Sequence, residues 1–246
     1  MKKSTAIKTE VDKFSALADA WWDPEGDFRP LHLINPERIR YIQKHISTHF
    51  KLSPRPTKPL QGLSLLDVGC GGGLLSEPLA RLGLSVNGID ASDQNIEVAT
   101  QHADESKLTI NYRVGTPEKL TSKMDKFDVV LALEVLEHVQ NMDHFIDATS
   151  ALVKPGGLIF FSTLNRTIQS FLLAKIGAEY ILRWLPKGTH QWSKFVRPSE
   201  VAAAMKKCCM EILDIKGLVY SPIKDTWIIR RDTSVNYFVV GRKPDD

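Results

Sequence analysis

The fold is decided by the stretch Asp67-Val68-Gly69-Cys70-Gly71-Gly72-Gly73, which directly follows an apolar strand pattern and directly precedes a helix pattern. Glycines at such a junction let the backbone turn tightly and let a ligand approach it closely. The helix that follows offers unpaired N–H donors and the positive end of its dipole. The stretch therefore predicts a strand, a turn and a helix that together hold a nucleotide-like ligand.

An acidic residue closes the next predicted strand, Ser85-Val86-Asn87-Gly88-Ile89-Asp90. At that place Asp90 can accept hydrogen bonds from the hydroxyls of a ribose. The glycine spacing selects the nucleotide, because a dinucleotide turn needs glycine at its sixth position and this chain has Leu74 there. The pattern favours S-adenosylmethionine over NAD. A tight turn that serves packing alone is the alternative, and Asp90 weighs against it.

Strand and helix patterns alternate outward from this turn, which is typical of an α/β fold with helices on both faces of a parallel sheet. Helices are predicted at residues 74–82, 92–105 and 142–153. The predicted strands lie at residues 63–68, 84–90, 108–114, 127–133, 158–164, 212–220 and 235–241.

The first 60 residues are predicted to form an N-terminal helical cap and a linker. A helix is expected from about residue 9 to residue 22. Asn35-Pro36-Glu37 has the capping side chain, the proline and the acid that begin a second helix. Prolines make residues 53–59 a linker, because they sustain neither a helix nor a central strand. The core domain is expected at residues 61–246, and both parts are expected to form one structural unit.

Composition narrows the class of protein. The 246 residues are 43% hydrophobic, enough to fill the core of one large domain. A charged fraction of 25% and a net charge of +3 are too modest to predict a nucleic-acid partner. Three cysteines, with Cys208 and Cys209 adjacent, favour a reducing compartment, so a cytoplasmic protein is expected. Without an apolar run of about 18 residues, any membrane contact is expected to be peripheral.

The chain resembles the class I S-adenosylmethionine-dependent methyltransferases. Besides the glycine-rich turn, the resemblance rests on Phe127-Asp128-Val129-Val130 in the fourth strand and on Lys154-Pro155-Gly156-Gly157 before the fifth. It implies a Rossmann-like fold whose seven-stranded mixed sheet has its last strand inserted antiparallel.

The same resemblance implies which residues hold the cofactor. Gly69 and Gly71 would line the methionine end of S-adenosylmethionine, and Asp67 would lie near its ammonium group. Asp90 would accept hydrogen bonds from the ribose hydroxyls. Leu133, at the end of the fourth strand, would pack beside the cofactor.

A closer resemblance, to the ubiquinone biosynthesis O-methyltransferases, extends over nearly the whole chain. It implies O-methylation of 2-polyprenyl-6-hydroxyphenol and 3-demethylubiquinol. It is also compatible with binding to other proteins of ubiquinone biosynthesis. It also implies that Arg38 reaches the cofactor carboxylate, whereas Arg38 alone suggests a solvated charge on a helix. The stretches that carry it are Trp21-Trp22-Asp23, Pro30-Leu31-His32, Ile34-Asn35-Pro36, Glu134-Val135-Leu136-Glu137-His138, Phe161-Ser162-Thr163-Leu164-Asn165-Arg166, Gly177-Ala178-Glu179-Tyr180-Ile181-Leu182-Arg183 and Pro186-Lys187-Gly188-Thr189-His190.

Three side chains after the fourth strand are candidates for activating the acceptor. A phenol with a pKa of about 10 is about one part in a thousand ionised at pH 7, so a base or a metal is needed. If the chain turns helical there, Glu134, Glu137 and His138 share one face and could hold a divalent ion, for which the resemblance implies Mg2+. Two alternatives stay open. The acids could shape the cofactor site without a metal, or His138 could act as the general base.

Residues 165–192, after the fifth strand, form an insertion that is too long for a plain loop. Apolar residues recur at helical spacing from Ile168 to Ile176. The basic residues of the insertion outnumber its single acidic residue, Glu179. An amphipathic segment with cationic flanks suits a bilayer surface. The insertion is therefore predicted to be a lid that contacts the inner face of a membrane, with a lid packed on the core as the alternative.

Other functions remain open on the sequence alone. A different small-molecule class I methyltransferase or a nicotinamide-dependent oxidoreductase would use the same turn and the same Asp90. A non-catalytic cofactor-binding or lipid-binding subunit is a further alternative. A nucleic-acid methyltransferase is disfavoured, because no Asn-Pro-Pro-Tyr type of motif follows the fourth strand.

Overall fold

A mixed β-sheet with helices on both faces organises the residues that the computed structural model describes, which are 4–53, 57–121, 126–171, 192–221 and 226–245. The strands are β1 (Ser64–Val68), β2 (Ser85–Asp90), β3 (Asn111–Val114), β4 (Phe127–Leu133), β5 (Val153–Leu164), β6 (Glu211–Ser221), β7 (Thr226–Arg230) and β8 (Asn236–Arg242). The helices are α1 (Lys8–Ser15), α2 (Arg29–His49), α3 (Ser76–Arg81), α4 (Asp93–Glu105), α5 (Pro117–Thr121), α6 (Met142–Ala151), α7 (Ile168–Ser170) and α8 (Pro198–Lys207). One-turn 3-10 helices lie at Ala18–Ala20, Leu136–His138 and Trp192–Lys194.

The strand order is β3-β2-β1-β4-β5-β8-β6-β7. Strands β1 to β5 run parallel to one another. β8 is antiparallel to β5 and to β6, and β7 pairs antiparallel with β6. From β1 the strands β2 and β3 follow on one side, and the chain then crosses back to β4 on the other side of β1. The strand order therefore reverses between β1 and β4. In open α/β sheets a ligand crevice lies at the carboxyl ends of the strands at such a point.

Side chains of the central strands alternate between two apolar layers. In β4, Val130 and Ala132 belong to the layer that contains residues of α6 and α8, whereas Val129 and Leu131 belong to the layer that contains residues of α2 and α3. All four are fully buried. Burial of a side chain the size of valine or leucine stabilises the fold by about 1.5–3 kcal/mol, so these layers hold the sheet and its helices together.

The predicted α/β fold with helices on both faces is confirmed, but the predicted count of seven strands is wrong by one. The additional strand is β7, whose five residues pair with Gly217–Ser221 of β6. All five are half-buried or exposed, so β7 shows no alternation between a buried and a solvated face. Charged residues also flank it, namely Asp225 and Arg231. Thr226, Trp227, Ile228 and Ile229 favour a strand by residue type, but the run is short and shows no alternation, so the sequence analysis missed it.

The predicted start of the second helix at Asn35-Pro36-Glu37 is also wrong. α2 begins at Arg29 and carries Pro30 in its first turn, where a missing N–H group leaves no bond unmade. Pro36 therefore lies inside the helix. Asn35 does not cap it, because its Nδ2 donates a 3.0 Å hydrogen bond to the Leu74 carbonyl. The fully buried Ile42 and Ile46 help to offset the interior proline.

The predicted boundary between cap and core at residue 60 stays a prediction. Leu60 itself is fully buried, and its N–H donates a 2.9 Å hydrogen bond to the Leu82 carbonyl. Within the described ranges, no helix combines the length and the apolar character that crossing a bilayer demands.

Candidate cofactor and acceptor site

A cavity of about 730 Å3 lies at the carboxyl ends of β1, β2 and β4. Its wall also includes residues of the cap segment (residues 4–28), of α2 and of the start of β8. All the residues predicted for the site line this one cavity: Arg38, Asp67, Gly69, Gly71, Asp90, Leu133, Glu134, Glu137 and His138. The volume is in the range of small-molecule and cofactor sites.

The glycine-rich turn after β1 requires glycine at two positions that line the cavity. Gly69 has φ +74° and Gly71 has φ +52°, a region that other residues rarely adopt. A Cβ on Gly69 would lie 2.6 Å from Cγ2 of Val135, and one on Gly71 would lie 2.3 Å from Cζ2 of Trp21. Larger residues would therefore clash here, which explains why the turn is so rich in glycine.

Asp90 ends β2 and fixes the neighbouring backbone. One carboxylate oxygen accepts a 3.0 Å hydrogen bond from the Gly71 N–H group, and the other accepts from the Ser92 N–H at 2.9 Å and from Asn95 Nδ2 at 3.3 Å. Burial raises the pKa of Asp90. The carboxylate is thus positioned by the turn and by the start of α4, at the edge of the cavity where a ribose is expected.

Asp67, near the end of β1, is a buried acid in the cavity wall. Ser76 donates a 2.7 Å hydrogen bond to its Oδ2 atom. Burial raises the pKa of Asp67 to about 6, and the charge of Asp90 adds to that rise. A cationic group in the cavity would favour the ionised form of this carboxyl.

Arg38, in α2, is buried rather than solvated. Its Nη2 atom lies 2.6 Å from Oε1 of Glu134, while its Nε–H group has no hydrogen-bond partner among the described residues. An unpaired buried donor is costly, and a carboxylate is the partner that guanidinium geometry matches. Arg38 is therefore buried and has an unused donor that could bind a carboxylate.

Glu134 joins three elements beside the cavity. Its Oε1 accepts hydrogen bonds from Arg38, from Ser162 of β5 at 2.8 Å and from Asn236 of β8 at 2.9 Å. Its backbone has φ +56°, so the chain does not continue into a helix at this residue. A strained backbone of this kind costs roughly 1–3 kcal/mol. The three hydrogen bonds hold Glu134 in this conformation.

The three acceptor-activating candidates do not share one helical face, so that expectation is wrong. Glu134 precedes the one-turn 3-10 helix Leu136–His138 in a left-handed conformation. Glu137 accepts a 2.7 Å hydrogen bond from Thr163, and burial raises its pKa. Across the described part of the chain, no three Asp, Glu, His or Cys side chains are grouped as metal ligands. These residues do not fit a Mg2+ site as they are arranged.

His138 pairs with an acid that the sequence analysis missed. Its Nδ1 atom lies 3.0 Å from Oε2 of Glu10 in α1, and Lys194 contacts the other oxygen of Glu10 at 2.7 Å. The hydrogen bond to His138 is the main reason that the pKa of Glu10 falls to about 2. Phe14 meets the imidazole ring edge-on at 5.0 Å. Glu10 lies on a predicted helix without any motif, so no local signal could have identified it.

The cap segment closes over the glycine-rich turn through two tryptophans. Trp21 stacks on Phe28 with 3.8 Å between the ring centroids, and its Nε1 donates a 2.9 Å hydrogen bond to Asn95. Trp22 donates a 2.9 Å hydrogen bond to the Gly72 carbonyl. The Trp21-Trp22 pair thus fastens the cap segment to the turn, a role that the sequence does not indicate.

The predicted membrane-facing insertion lies largely outside the described residues, which stop at 171 and resume at 192. At its described ends, Trp192 donates a 3.0 Å hydrogen bond to the Thr167 carbonyl. Ile168 is 76% exposed.

Comparison with known proteins gives consistent findings. The methyltransferase domain family matches residues 37–208. Two relatives are named ubiquinone biosynthesis O-methyltransferase. That of Brucella ovis is 52% identical over 242 residues, with 98% of each chain covered. That of Chelativorans sp. is 51% identical over 243 residues, covering 99% of this chain and 96% of the relative.

The fold is shared with solved methyltransferases. Magnesium protoporphyrin IX methyltransferase of Synechocystis, with bound S-adenosylhomocysteine (SAH), has a TM-score of 0.69 at 20% identity, with 96% of this chain and 100% of that chain covered. An S-adenosylmethionine-dependent methyltransferase of Thermotoga maritima has a TM-score of 0.60 at 14% identity, with 96% of this chain and 98% of that chain covered. The class I methyltransferase fold implied by the sequence is confirmed.

Proposed function

Since this chain belongs to the ubiquinone biosynthesis O-methyltransferases and uses S-adenosylmethionine, we propose that it methylates phenolic hydroxyls of 2-polyprenyl-6-hydroxyphenol and 3-demethylubiquinol. The observation that carries the proposal is the single cavity that gathers every predicted cofactor residue next to a His138–Glu10 pair. The cofactor supplies an electrophilic methyl group, and the protein has to align and activate the acceptor.

The cavity residues suit the cofactor by their chemistry. The buried carboxyl of Asp67 would face the ammonium group, and the unused Nε–H of Arg38 would donate to the carboxylate. Asp90 would bind the ribose hydroxyls. Leu133, buried at the end of β4, would contact the cofactor as an apolar wall.

His138 is the proposed general base. Because the Glu10 carboxylate can only accept, it favours the tautomer that carries the proton on Nδ1, and Nε2 is then free of a proton and able to take one from the phenol. A phenol is short of ionisation at pH 7 by about 4 kcal/mol, and a positioned base offsets part of that deficit. Glu10 is a positioning residue, since it acts on the acceptor through His138.

Methyl transfer to short-chain analogues of both acceptors tests the proposed function. We expect activity with S-adenosylmethionine in the presence of a chelator, and loss of activity in Asp90→Ala. Asp93→Ala, an exposed acid three residues further along, is the matched control and should remain active. SAH should raise the melting temperature, whereas NADH should not. Absence of transfer to both acceptors by the wild type would refute the proposal.

Peripheral attachment to the inner face of a membrane, from the cytoplasm, is part of the same proposal. It is supported by the exposed Ile168 at the start of the insertion and by the free cysteines Cys70, Cys208 and Cys209, which suit a reducing compartment. A polyprenyl acceptor resides in the bilayer, where other ubiquinone biosynthesis proteins would meet the enzyme. Flotation with anionic liposomes is the test. Ile168→Ser should weaken flotation, and Leu213→Ser, a change at an exposed leucine in β6, should not.

A further inference from the structure

Asn236, the first residue of β8, carries an unexplained polar atom. Its Oδ1 is buried and has no hydrogen-bond partner among the described residues. The residue is 8% exposed and lines the cavity. A buried carbonyl oxygen without a partner destabilises a fold, and because Asn236 belongs to the cavity wall, a ligand there could supply the missing donor.

The orientation of the Asn236 amide follows from its neighbour. Nitrogen and oxygen of an amide are assigned from the hydrogen-bond network. Here Nδ2 lies 2.9 Å from Oε1 of Glu134, which is paired with Arg38 and is therefore an ionised acceptor. A carboxylate cannot donate, so the NH2 group must face Glu134. The carbonyl oxygen is left as the group that can accept from a ligand.

The topology places Asn236 on the other side of β4 from Asp67 and Asp90, although it shares Oε1 of Glu134 with Arg38. Asp67, Asp90 and Leu133 belong to β1, β2 and β4, whereas Asn236 pairs with Leu164 at the carboxyl end of β5, on the other side of β4. The cavity wall on this side includes the apolar residues Leu164, Leu218, Val235 and Trp227. This wall also includes the polar residues Gln169, Asp232 and Ser234. A polar acceptor beside these apolar side chains suits an aromatic ring that carries hydroxyls.

We propose that Asn236 selects the methyl acceptor by accepting a hydrogen bond from a hydroxyl next to the one that is methylated. This inference rests on the proposed phenolic acceptors. The reacting oxygen gives up its proton, so the hydroxyl that donates to Asn236 must be the neighbouring one. A quinone or a monophenol has no such donor, and Asn236 therefore favours acceptors with two adjacent hydroxyls.

A substrate pair separates this role from a structural one. The probes are a short-chain prenyl catechol and the matching monophenol, in which hydrogen replaces the second hydroxyl. The two probes differ in intrinsic reactivity. This difference cancels when the catechol-to-monophenol ratio of kcat/KM is compared between the wild type and the variant. We expect Asn236→Ala to lower the catechol preference about 10- to 100-fold, because it removes the acceptor that the monophenol leaves unsatisfied. A purely structural loss would slow both substrates equally.

Two controls complete the experiment. Asn165→Ala removes a buried amide that bonds to Thr233 but does not line the cavity, and it should keep the catechol preference. Asn236→Ser provides a second, less disruptive variant if the alanine variant fails to fold, and it should also lose preference. SAH binding should persist in both Asn236 variants. An active wild type with an unchanged substrate ratio in both would overturn this inference alone, whereas an inactive wild type would overturn the proposed function.

Discussion

His138 and Glu10 are 128 positions apart in sequence, yet their side chains meet at 3.0 Å. We expect His138→Gln to lower kcat about 10²- to 10⁴-fold, because a positioned base contributes that much to the rate. Glu10→Gln should lower kcat by less, since it loosens the imidazole without removing it. Steady-state kinetics at saturating cofactor measure kcat. Calorimetry with SAH should show unchanged affinity in His138→Gln.

The matched control for this prediction is His144→Gln in α6, since His144 does not line the cavity. This variant should keep the wild-type kcat. Wild-type turnover in His138→Gln would show that another group takes the phenolic proton.

Asp67 gives the site a predictable pH dependence. Its pKa is raised from 3.8 to about 6, so the folded protein holds a proton that the unfolded chain has already released. This group therefore stabilises the ligand-free protein fully below pH 3.8, and the contribution is lost as the pH rises through about 6. An ionised Asp67 is the form that attracts a cationic amino group.

The expected result is that SAH affinity falls by up to about tenfold per pH unit below about pH 6 and is level above about pH 7. Asp67→Asn should flatten this dependence, because an amide does not titrate, and should raise the melting temperature of the ligand-free protein near neutral pH. Calorimetry between about pH 5 and pH 8 measures the first effect. Asp93→Asn serves as the control, and a dependence that persists in Asp67→Asn would assign it to another group.

The candidate residues that sequence reasoning found lie in or near continuous motifs. The position of Asp90 at the strand end after the glycine-rich turn indicates its role, whereas the roles of Asp67 and Gly71 are those that the resemblance to class I methyltransferases implies. Glu10 and Asn236 were missed for the opposite reason. Each acquires its role only from a partner at least 100 residues away, His138 or Glu134. No periodicity or local motif records such a contact.

Helix α2 contains two prolines whose effects on stability are expected to differ. Pro30 lies in the first turn and Pro36 lies inside the helix. We expect Pro36→Ala to raise the melting temperature, because alanine restores a backbone donor and removes a clash worth about 3 kcal/mol in a helix interior. Loss of the rigidity of proline in the unfolded chain offsets only about 0.4–1 kcal/mol of this gain.

Pro30→Ala is the matched comparison and should leave the melting temperature unchanged or slightly lower, because first-turn proline costs the helix nothing. Thermal unfolding of both variants provides the measurement. A lower melting temperature in Pro36→Ala than in Pro30→Ala would mean that the surroundings of Pro36 depend on its ring.

The two misassigned elements have different causes. Asn35-Pro36-Glu37 is a good local start signal, but burial of Ile42 and Ile46 favours one long helix that runs through it. β7 is rich in residues that favour strands, Thr226, Trp227, Ile228 and Ile229, but the run is short and has no alternation of buried and exposed residues, so the sequence analysis missed it. The sequence predicted β4 correctly because a continuous apolar run is typical of a strand that is buried on both faces.

The molecule builds its site by bringing distant parts of the chain to one edge of the sheet. The cap segment joins the core through the Thr5 hydroxyl, which donates to Glu118 at 2.6 Å, and through Ser15, which donates to Ser92 at 2.7 Å. Helix α1 has no buried residue of its own. Helices with so little burial open at low free-energy cost, so α1 is expected to open locally more readily than the sheet.

Cofactor binding should therefore close the cap segment. A ligand that binds only the closed form stabilises that form by about 2.7 kcal/mol at a concentration of 100 times Kd, which slows exchange through opening about 100-fold. We expect SAH to slow amide hydrogen exchange in α1 and around Trp21, and to leave α8 unaffected, because α8 lies outside the cavity wall. Hydrogen exchange read by mass spectrometry with and without SAH measures this. Equal protection of α1 and α8 would indicate general stabilisation of the fold, and no protection of α1 would mean that the cap segment does not close over the ligand.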